Sequence, residues 1–489
     1  MLNHIKSLAR HSSVYTVSTF VQRALGFVML PIYTDPTYLA SRSEYGDLTL
    51  VYTFTAFMTI IYLYGMDAAI LRYFFLGRYK REEVYSTGFW AVLANALLLS
   101  AGIFFFAPHL GQLVFGGSQY DVLIKLTAVI LFFDSVGNLP YLVLRAEEKS
   151  IHFSAFRIGR FLLELILNIV FVVFLKQGVL GILYANAIAS VINLLAMLPF
   201  QKKYLRRAWD WNVLKTLLWF GLPMIPNGVA YLTVEVSDKF LMRFLLNKDL
   251  LGLYSANYKF GSILLLVVIA FRNAWQPFFL KIAREANAKQ IYARVLTYFT
   301  LIAAFLIIGA SYFVEYLLKI PLGAGRHIMN APYWEGIKII PIVLTSYLFY
   351  GIYVNLTVGV YIRKKTKLMF IFTGLAALTN VGSNFYLMPH YGIMGAAVAT
   401  LLSYLVMALT IFIANQKIYP VPYEYGRVAF ILIYLAAMLA VLYGFSPAWY
   451  WRVALVAFSP ALFYVFRFLR TEELNYLLRI VKTAGGSGR

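Results

Sequence analysis

The sequence predicts an all-α integral membrane protein of about fourteen transmembrane helices, built as two pseudo-symmetric six-helix lobes followed by two further helices. Three observations carry that reading. Of 489 residues, 61% are apolar and 13% charged, whereas soluble domains carry about 25% charged residues. Apolar stretches of about 18 to 25 residues, long enough to cross a hydrocarbon layer, recur along the whole chain. One segment of the first half returns in the second half with its spacing intact.

Without water to satisfy the backbone, such apolar stretches are helices. The spans read as 12–34, 47–66, 85–107, 121–144, 153–175, 179–200, 213–235, 250–272, 293–317, 335–361, 368–388, 393–415, 425–444 and 449–469. The first follows Lys6 and Arg10 like a secretory signal, but it runs past Pro31 with no small-residue cleavage site and reads as a retained helix. Residues 471–489 read as a cytoplasmic tail, with Gly485 to Arg489 as a flexible linker remnant.

Cysteine is absent, which excludes disulfides, thiolate metal sites and cysteine nucleophiles. The formal charge of +22 is dispersed between apolar runs rather than gathered on a soluble face, which argues against a nucleic-acid partner. Lys80 and Arg81, Lys202, Lys203, Arg206 and Arg207, Lys281, Arg284 and Lys289, and Arg363, Lys364, Lys365 and Lys367 all fall on one side of the fourteen-span topology. That side is assigned to the cytoplasm, together with both termini.

Gly178-Val179-Leu180-Gly181, followed by Ala185, Ala187 and Ala189, recurs as Gly392-Ile393-Met394-Gly395, followed by Ala396, Ala397 and Ala399. Gln201-Lys202 with Tyr204 likewise matches Gln416-Lys417 with Tyr419. These segments are spans six and twelve, so the repeat unit is six helices in parallel orientation. The divisions are 1–208 and 209–420 for the two lobes and 421–470 for the last two helices.

Charged side chains at mid-bilayer cost about 2.5 to 3.5 kcal/mol each on insertion scales, so those retained mark pairing or transport. Arg23 shares a face with Ser12, Thr16, Thr19 and Gly26 and has no acid one turn away, so it points to a wet cavity, with a structural ion pair to another helix as the alternative. Polar stripes also run along Asn227, Tyr231, Glu235 and Asp238; Asp134, Asn138, Tyr141 and Arg145; and Arg157, Arg160, Glu164 and Asn168. Within the last of these, Arg160 and Glu164 have the i,i+4 spacing of a self-neutralising pair. Lys259 and Arg272 fall inside or near the end of one span, with snorkelling to the interface as the alternative. The many tyrosines and phenylalanines read as packing and interfacial belts. No catalytic motif is present: neither His-Glu-x-x-His, nor a phosphate loop, nor Gly-x-Ser-x-Gly. The six histidines lack ligand spacing, so no metal site is expected.

Arg23-Ala24-Leu25-Gly26-Phe27 running to Pro31-Ile32-Tyr33-Thr34, then Tyr38-Leu39 and Glu44-Tyr45-Gly46, resembles the polysaccharide transporter family of O-antigen flippases. Gly65 through Arg72-Tyr73-Phe74 and Asp238-Lys239-Phe240-Leu241 leading to Leu251 through Ala256 extend the likeness. The family shares a superfamily with lipid II flippases and multidrug and toxin extrusion antiporters.

The resemblance implies a MATE-like, V-shaped pair of lobes working by alternating access, with the two last helices as a groove for a lipid tail. It implies as substrate an undecaprenyl-pyrophosphate-linked oligosaccharide, an O-antigen or other surface polysaccharide repeat unit, carried from the cytoplasmic to the outer leaflet of the inner or plasma membrane. Headgroup contacts are expected at Arg23, Arg72, Lys239, Lys259 and Arg272, and ion coupling to a Na+ or H+ gradient at Asp67, Glu235 and Asp238. Lys239 stands where many relatives have Arg, and each of Asp67, Glu235 and Asp238 has a structural pairing with Arg72 or Lys239 as its alternative. The protein is expected to be a monomer without cofactor or catalytic residue, working beside a polysaccharide polymerase and chain-length machinery. The alternatives are a multidrug antiporter on the same fold and a membrane polysaccharide-processing enzyme.

Overall fold

A computed structural model describes residues 26–76, 79–323, 325–465 and 468. Within these, helices begin where the sequence offers capping oxygens: Ser41 accepts from the Glu44 amide, Asp210 from those of Asn212 and Val213, and Asn247 from that of Leu250. Each satisfies an amide that the first helical turn leaves without a partner. Among the described residues, ten helical stretches are long and apolar enough to cross a membrane. The first span of the sequence reading, with Arg23, lies mostly outside the described residues.

Several helices outrun the apolar windows that announce them. Arg42–Leu63 continues after a left-handed Tyr64-Gly65 corner as Met66–Leu76. The chain from Trp211–Gly221 passes through a 3-10 turn at Leu222–Met224 into Ile225–Leu245, and Lys248–Gly261 is followed at Ser262 by Ile263–Ile282. The apolar signal of Ile225–Leu245 falls off before the helix ends because Glu235, Asp238 and Lys239 sit in its interior. The two carboxylates are satisfied by tyrosines of neighbouring helices, and the Lys239 ammonium by Asp238 and the Glu235 carbonyl of its own helix.

The sequence repeat has a conformational counterpart. Gly178 and Gly392 both adopt left-handed backbone, with φ of 54° and 57°, where a Cβ would be strained. Three residues on, a Cβ at Gly181 would lie 3.0 Å from the Phe171 carbonyl oxygen, and one at Gly395 would overlap that of Leu387. In both copies the first glycine turns the chain and the second lets the new helix lie against the one before it. In the second copy the turn is a bend inside Leu368–Ile418.

By contacts the chain divides into two compact units, one of residues 1–284 and 318–420, the other of 285–317 and 421–489. In the first, Ile225–Leu245 and Ile340–Leu356 pack against Leu368–Ile418, Lys248–Gly261 packs on Arg42–Leu63, and Asp121–Ala146 on Gly178–Gln201. In the second, Arg452 donates to Glu315 at 3.0 Å and to the Tyr312 carbonyl at 3.1 Å, so this intramembrane cation is neutralised inside its own unit.

Candidate functional site

The C-terminal repeat holds a cage of acids and phenols. Glu235 accepts hydrogen bonds from Tyr347 and Tyr404, both at 2.8 Å. One turn on, fully buried Asp238 accepts from Tyr254 at 2.6 Å and lies 3.2 Å from the Lys239 ammonium. That ammonium also donates to the Glu235 carbonyl at 2.9 Å and lies 3.8 Å above the ring centre of Tyr258, whose hydroxyl is 2.9 Å from that of Tyr347. Charge-assisted hydrogen bonds from phenols replace water around both carboxylates. The cage is one surface of the stripe read in the sequence, and its partners come from Lys248–Gly261, Ile340–Leu356 and Leu368–Ile418.

Beside the cage opens a cavity of about 220 Å³ lined by Asn227, Tyr231, Arg272, Trp275, Gln276 and Tyr350, with Tyr353, Thr357, Tyr361 and Thr373 among its further walls. Arg272, Asn227 and Gln276 are exposed at its mouth, whereas Tyr350, Tyr353 and Thr357 are buried. An Arg, an Asn and a Gln presented together within spanning helices belong on a wet surface, not against hydrocarbon. Arg272 donates to the Tyr350 hydroxyl at 3.3 Å, and Thr373 to the Asn227 side-chain oxygen at 3.1 Å.

The far end of the same unit is closed. Arg42 forms an ion pair with Asp249 at 2.6 Å and approaches Glu335 at 3.8 Å. Arg326 pairs with Asp35 and Lys248 with Asp47, both at 2.8 Å. Each pair joins a residue of the first repeat to one of the second. The helices carrying them touch through glycine: a Cβ on Gly46 would overlap the Lys248 carbonyl, and one on Gly252 the Arg42 carbonyl. Asn330 ties the loop after residue 318 to Thr34 and to the Pro31 carbonyl. Arg272 lies 24 residues beyond Lys248, on the helix that follows the break at Ser262, and no residue of the seam lines the cavity.

In the N-terminal repeat the stripes of Asp121–Ala146 and Ser150–Asn168 face one another. Arg160 pairs with Asp134 at 2.8 Å and donates to Ser190 at 3.0 Å, and Arg157 stacks 4.3 Å from the ring centre of Tyr141. The pairing expected between Arg160 and Glu164 does not form, because the guanidinium reaches an acid on the facing helix instead.

The structure separates the residues singled out in the sequence. Arg23 lies outside the described residues. Lys259 donates to the Gly26 carbonyl at 3.3 Å and lies 5.2 Å from the Tyr45 ring centre, with no acid partner among the described residues. Exposed Arg72 lies over Phe220 at 4.6 Å. Asp67 is half-buried on the helix carrying Arg72, with no ion pair to it. Glu235, Asp238 and Lys239 are brought together and Arg272 lines the cavity. The tyrosines read as packing and belts are in part this cage; the i,i+4 pair Tyr254 and Tyr258 was its one legible trace. The seam residues Asp35, Arg42, Asp47, Lys248, Asp249 and Arg326 passed unnoticed, because each lies near a helix end where charge is ordinary.

Fold and site together define a polytopic membrane protein of the flippase and multidrug-extrusion architecture. Its structure superposes on "Lipid II flippase MurJ, inward closed conformation" with a TM-score of 0.73 over 93% of this chain and 97% of the other, at 16% identity. An inward-facing multidrug resistance MATE family transporter of the MOP superfamily matches with a TM-score of 0.64 over 84% of this chain and 95% of the other, at 15% identity. The chain belongs to the polysaccharide biosynthesis protein family, whose sequence model matches residues 38–325. Among curated proteins it is 22% identical over 261 residues to the succinoglycan biosynthesis transport protein ExoT of Rhizobium meliloti, covering 53% of this chain and only 50% of that protein. It is also 22% identical over 308 residues to Lsg locus putative protein 1 of Haemophilus influenzae, covering 60% of this chain and 71% of that one.

Proposed function

We propose that this protein is a transporter, not an enzyme, that carries a polyprenyl-pyrophosphate-linked oligosaccharide between membrane leaflets by alternating access. The observation that carries the reading is the pairing of a seam closed across the two repeats at one end with a separate polar, aromatic cavity. A carrier that holds its cargo while one side is sealed needs both features. The family, and the transport and flippase functions in the names of the relatives, support the same reading. The basic end is taken as cytoplasmic on the charge of its loops, which makes the sealed end the outer one and places both termini inside.

In this reading the lobes are 1–208 and 209–420, and the helices of 421–470 guide the lipid tail. Arg23 and Lys259 are the cations offered to the pyrophosphate, with Arg72 exposed in the same half of the chain as Arg23, and Arg272 is the cation that the cavity offers to the carried saccharide. Lys239 holds the cage together. Glu235 and Asp238, already ringed by phenols, are the acids for Na+ or H+ coupling, with Asp67 as the third candidate. A polymerase and chain-length machinery are the expected protein partners of a monomer in the inner membrane. The test is reconstitution: purified protein in liposomes should move a fluorescent lipid-linked saccharide between leaflets, and deleting the gene should accumulate such a lipid. Export of cationic dyes with no effect on lipid-linked saccharides would favour the antiporter.

A further inference from the structure

The cavity beside the cage has one fixed charge. Among its lining residues only Arg272 is ionic, and its one hydrogen bond is to the Tyr350 phenol, with no carboxylate partner among the described residues. The neighbouring charges are committed elsewhere, since Lys239 is held by Asp238 and both oxygens of Glu235 accept from tyrosines. Around Arg272 stand neutral hydrogen-bonding groups without a partner among the described residues: the exposed Gln276 amide, the Asn227 amide nitrogen, and the hydroxyls of Tyr353 and Tyr361. The walls between them carry aromatic rings, with Tyr350 stacked on Tyr353 at 6.1 Å and Trp275 edge-on to Phe279 at 5.6 Å.

From this composition we infer that the cavity is a saccharide subsite selecting a sugar unit that carries a single anionic substituent, and that it is not the site of the pyrophosphate. This inference rests on the reading of the protein as an oligosaccharide carrier and specifies what the carrier reads. Neutral amides and phenols match sugar hydroxyls, and aromatic faces match the apolar face of a pyranose ring. A neutral sugar would leave the guanidinium without a counter-charge in a site it had just desolvated. A pyrophosphate brings at least two negative charges, and one forked donor set leaves the second uncompensated. One carboxylate or one sulfate ester is the anion that a single arginine fork neutralises.

The experiment measures binding of four probes to the purified full-length protein in nanodiscs by saturation-transfer NMR: D-glucuronate, D-glucose 6-sulfate, D-glucose and inorganic pyrophosphate. Glucuronate or glucose 6-sulfate should bind about tenfold tighter than glucose, the increment of one charge-assisted hydrogen-bond pair. Arg272→Gln should bring the anionic sugars down to the level of glucose with glucose itself little changed. Gln276→Ala, at the exposed mouth, should weaken all three sugars alike and provides a second lesion if Arg272→Gln does not fold. Pyrophosphate displacing glucuronate at equal concentration, an anion preference that survives Arg272→Gln, or no sugar binding at all would overturn the assignment. Leaflet transfer of a neutral lipid-linked glycan by the same protein would sink the subsite's selectivity while leaving the carrier reading intact; absence of all leaflet transfer alongside the expected binding would do the reverse.

Discussion

The closed seam and the open cavity handle charge in opposite ways. At the seam Arg42, Lys248 and Arg326 each meet an acid from the other repeat, at 2.6 Å for Arg42 with Asp249 and 2.8 Å for Lys248 with Asp47 and Arg326 with Asp35. In the cavity Arg272 meets, among the described residues, only a phenol, at 3.3 Å. Partly exposed ion pairs are worth about 0 to 1 kcal/mol each, which suits contacts that must form and break in every transport cycle. An arginine left without an acid keeps its capacity for an anion that arrives and leaves. The lesson is that pairing marks the part of the molecule that closes, and an unpaired cation on a wet surface marks the part that binds.

The sharpest way to break this comparison is at glycine. Gly252→Val places side-chain atoms where the Arg42 carbonyl lies, and overpacking of this kind costs about 1 to 3 kcal/mol. Because it burdens only the closed seam, it should shift the population away from closure by about tenfold or more. Cysteines placed at Asp35 and Arg326, in a chain that has none of its own, should lose their cross-link by a short bifunctional maleimide in this background, and leaflet transfer should fall with it. A wild-type cross-link yield would refute the close approach.

The N-terminal repeat offers a control, since its ion pair lies within one repeat and should act on stability alone. Arg160→Ala strands Asp134 on a partly buried surface and should cost about 2 kcal/mol, read as a lower melting temperature with the seam cross-link unchanged. Glu164→Gln should not reproduce that loss, because Glu164 does not pair with Arg160. Equal losses from the two variants would restore the pair within the helix.

A smaller effect is expected at the seam's ion pairs. Arg42 and Asp249 keep 27% and 43% of their side chains exposed, so Arg42→Asp should weaken closure by about 1 kcal/mol or less from the lost pair, plus the new like-charge contact. Exchanging both residues, Arg42→Asp with Asp249→Arg, should recover most of the cross-link. Failure of the exchange to recover any of it would show that the geometry around Pro332, whose carbonyl Arg42 also reaches at 3.2 Å, matters more than the charge.

The smallest effect belongs to the basic end. There Glu147 is paired with Lys149 at 2.7 Å, accepts from Tyr204 at 2.8 Å and lies 3.5 Å from Lys203. Burial raises its pKa, but the hydrogen bonds from Lys149 and Tyr204 and the charges of Lys149 and Lys203 outweigh that, leaving it below the usual glutamate value. A depressed folded-state pKa gives stability that is present above the unfolded value, about 4.3, and is lost as pH falls through the folded one. Glu147→Gln should therefore melt slightly below the parent at pH 7, and the two curves should converge under acid. A gap that is constant with pH would mean the residue acts through packing.

The sequence carried the membrane class and most helix positions, because both follow from apolar length alone, and it carried an internal likeness through glycines whose backbone roles recur at Gly178 and Gly392. It also carried the polar stripes, since the 3.6-residue period aligns Tyr231, Glu235 and Asp238 on one face whatever lies opposite. Only the tertiary structure decided what did lie opposite. Glu235 receives its hydrogen bond from Tyr404 across 169 residues, and Arg42 finds Asp249 across 207. Arg160 had one acid a turn away and another on a neighbouring helix, and packing chose the neighbour. A helix's period is a local property of its backbone, whereas a charge's partner depends on which two helices lie side by side and at what register, and no single stretch of chain contains that information.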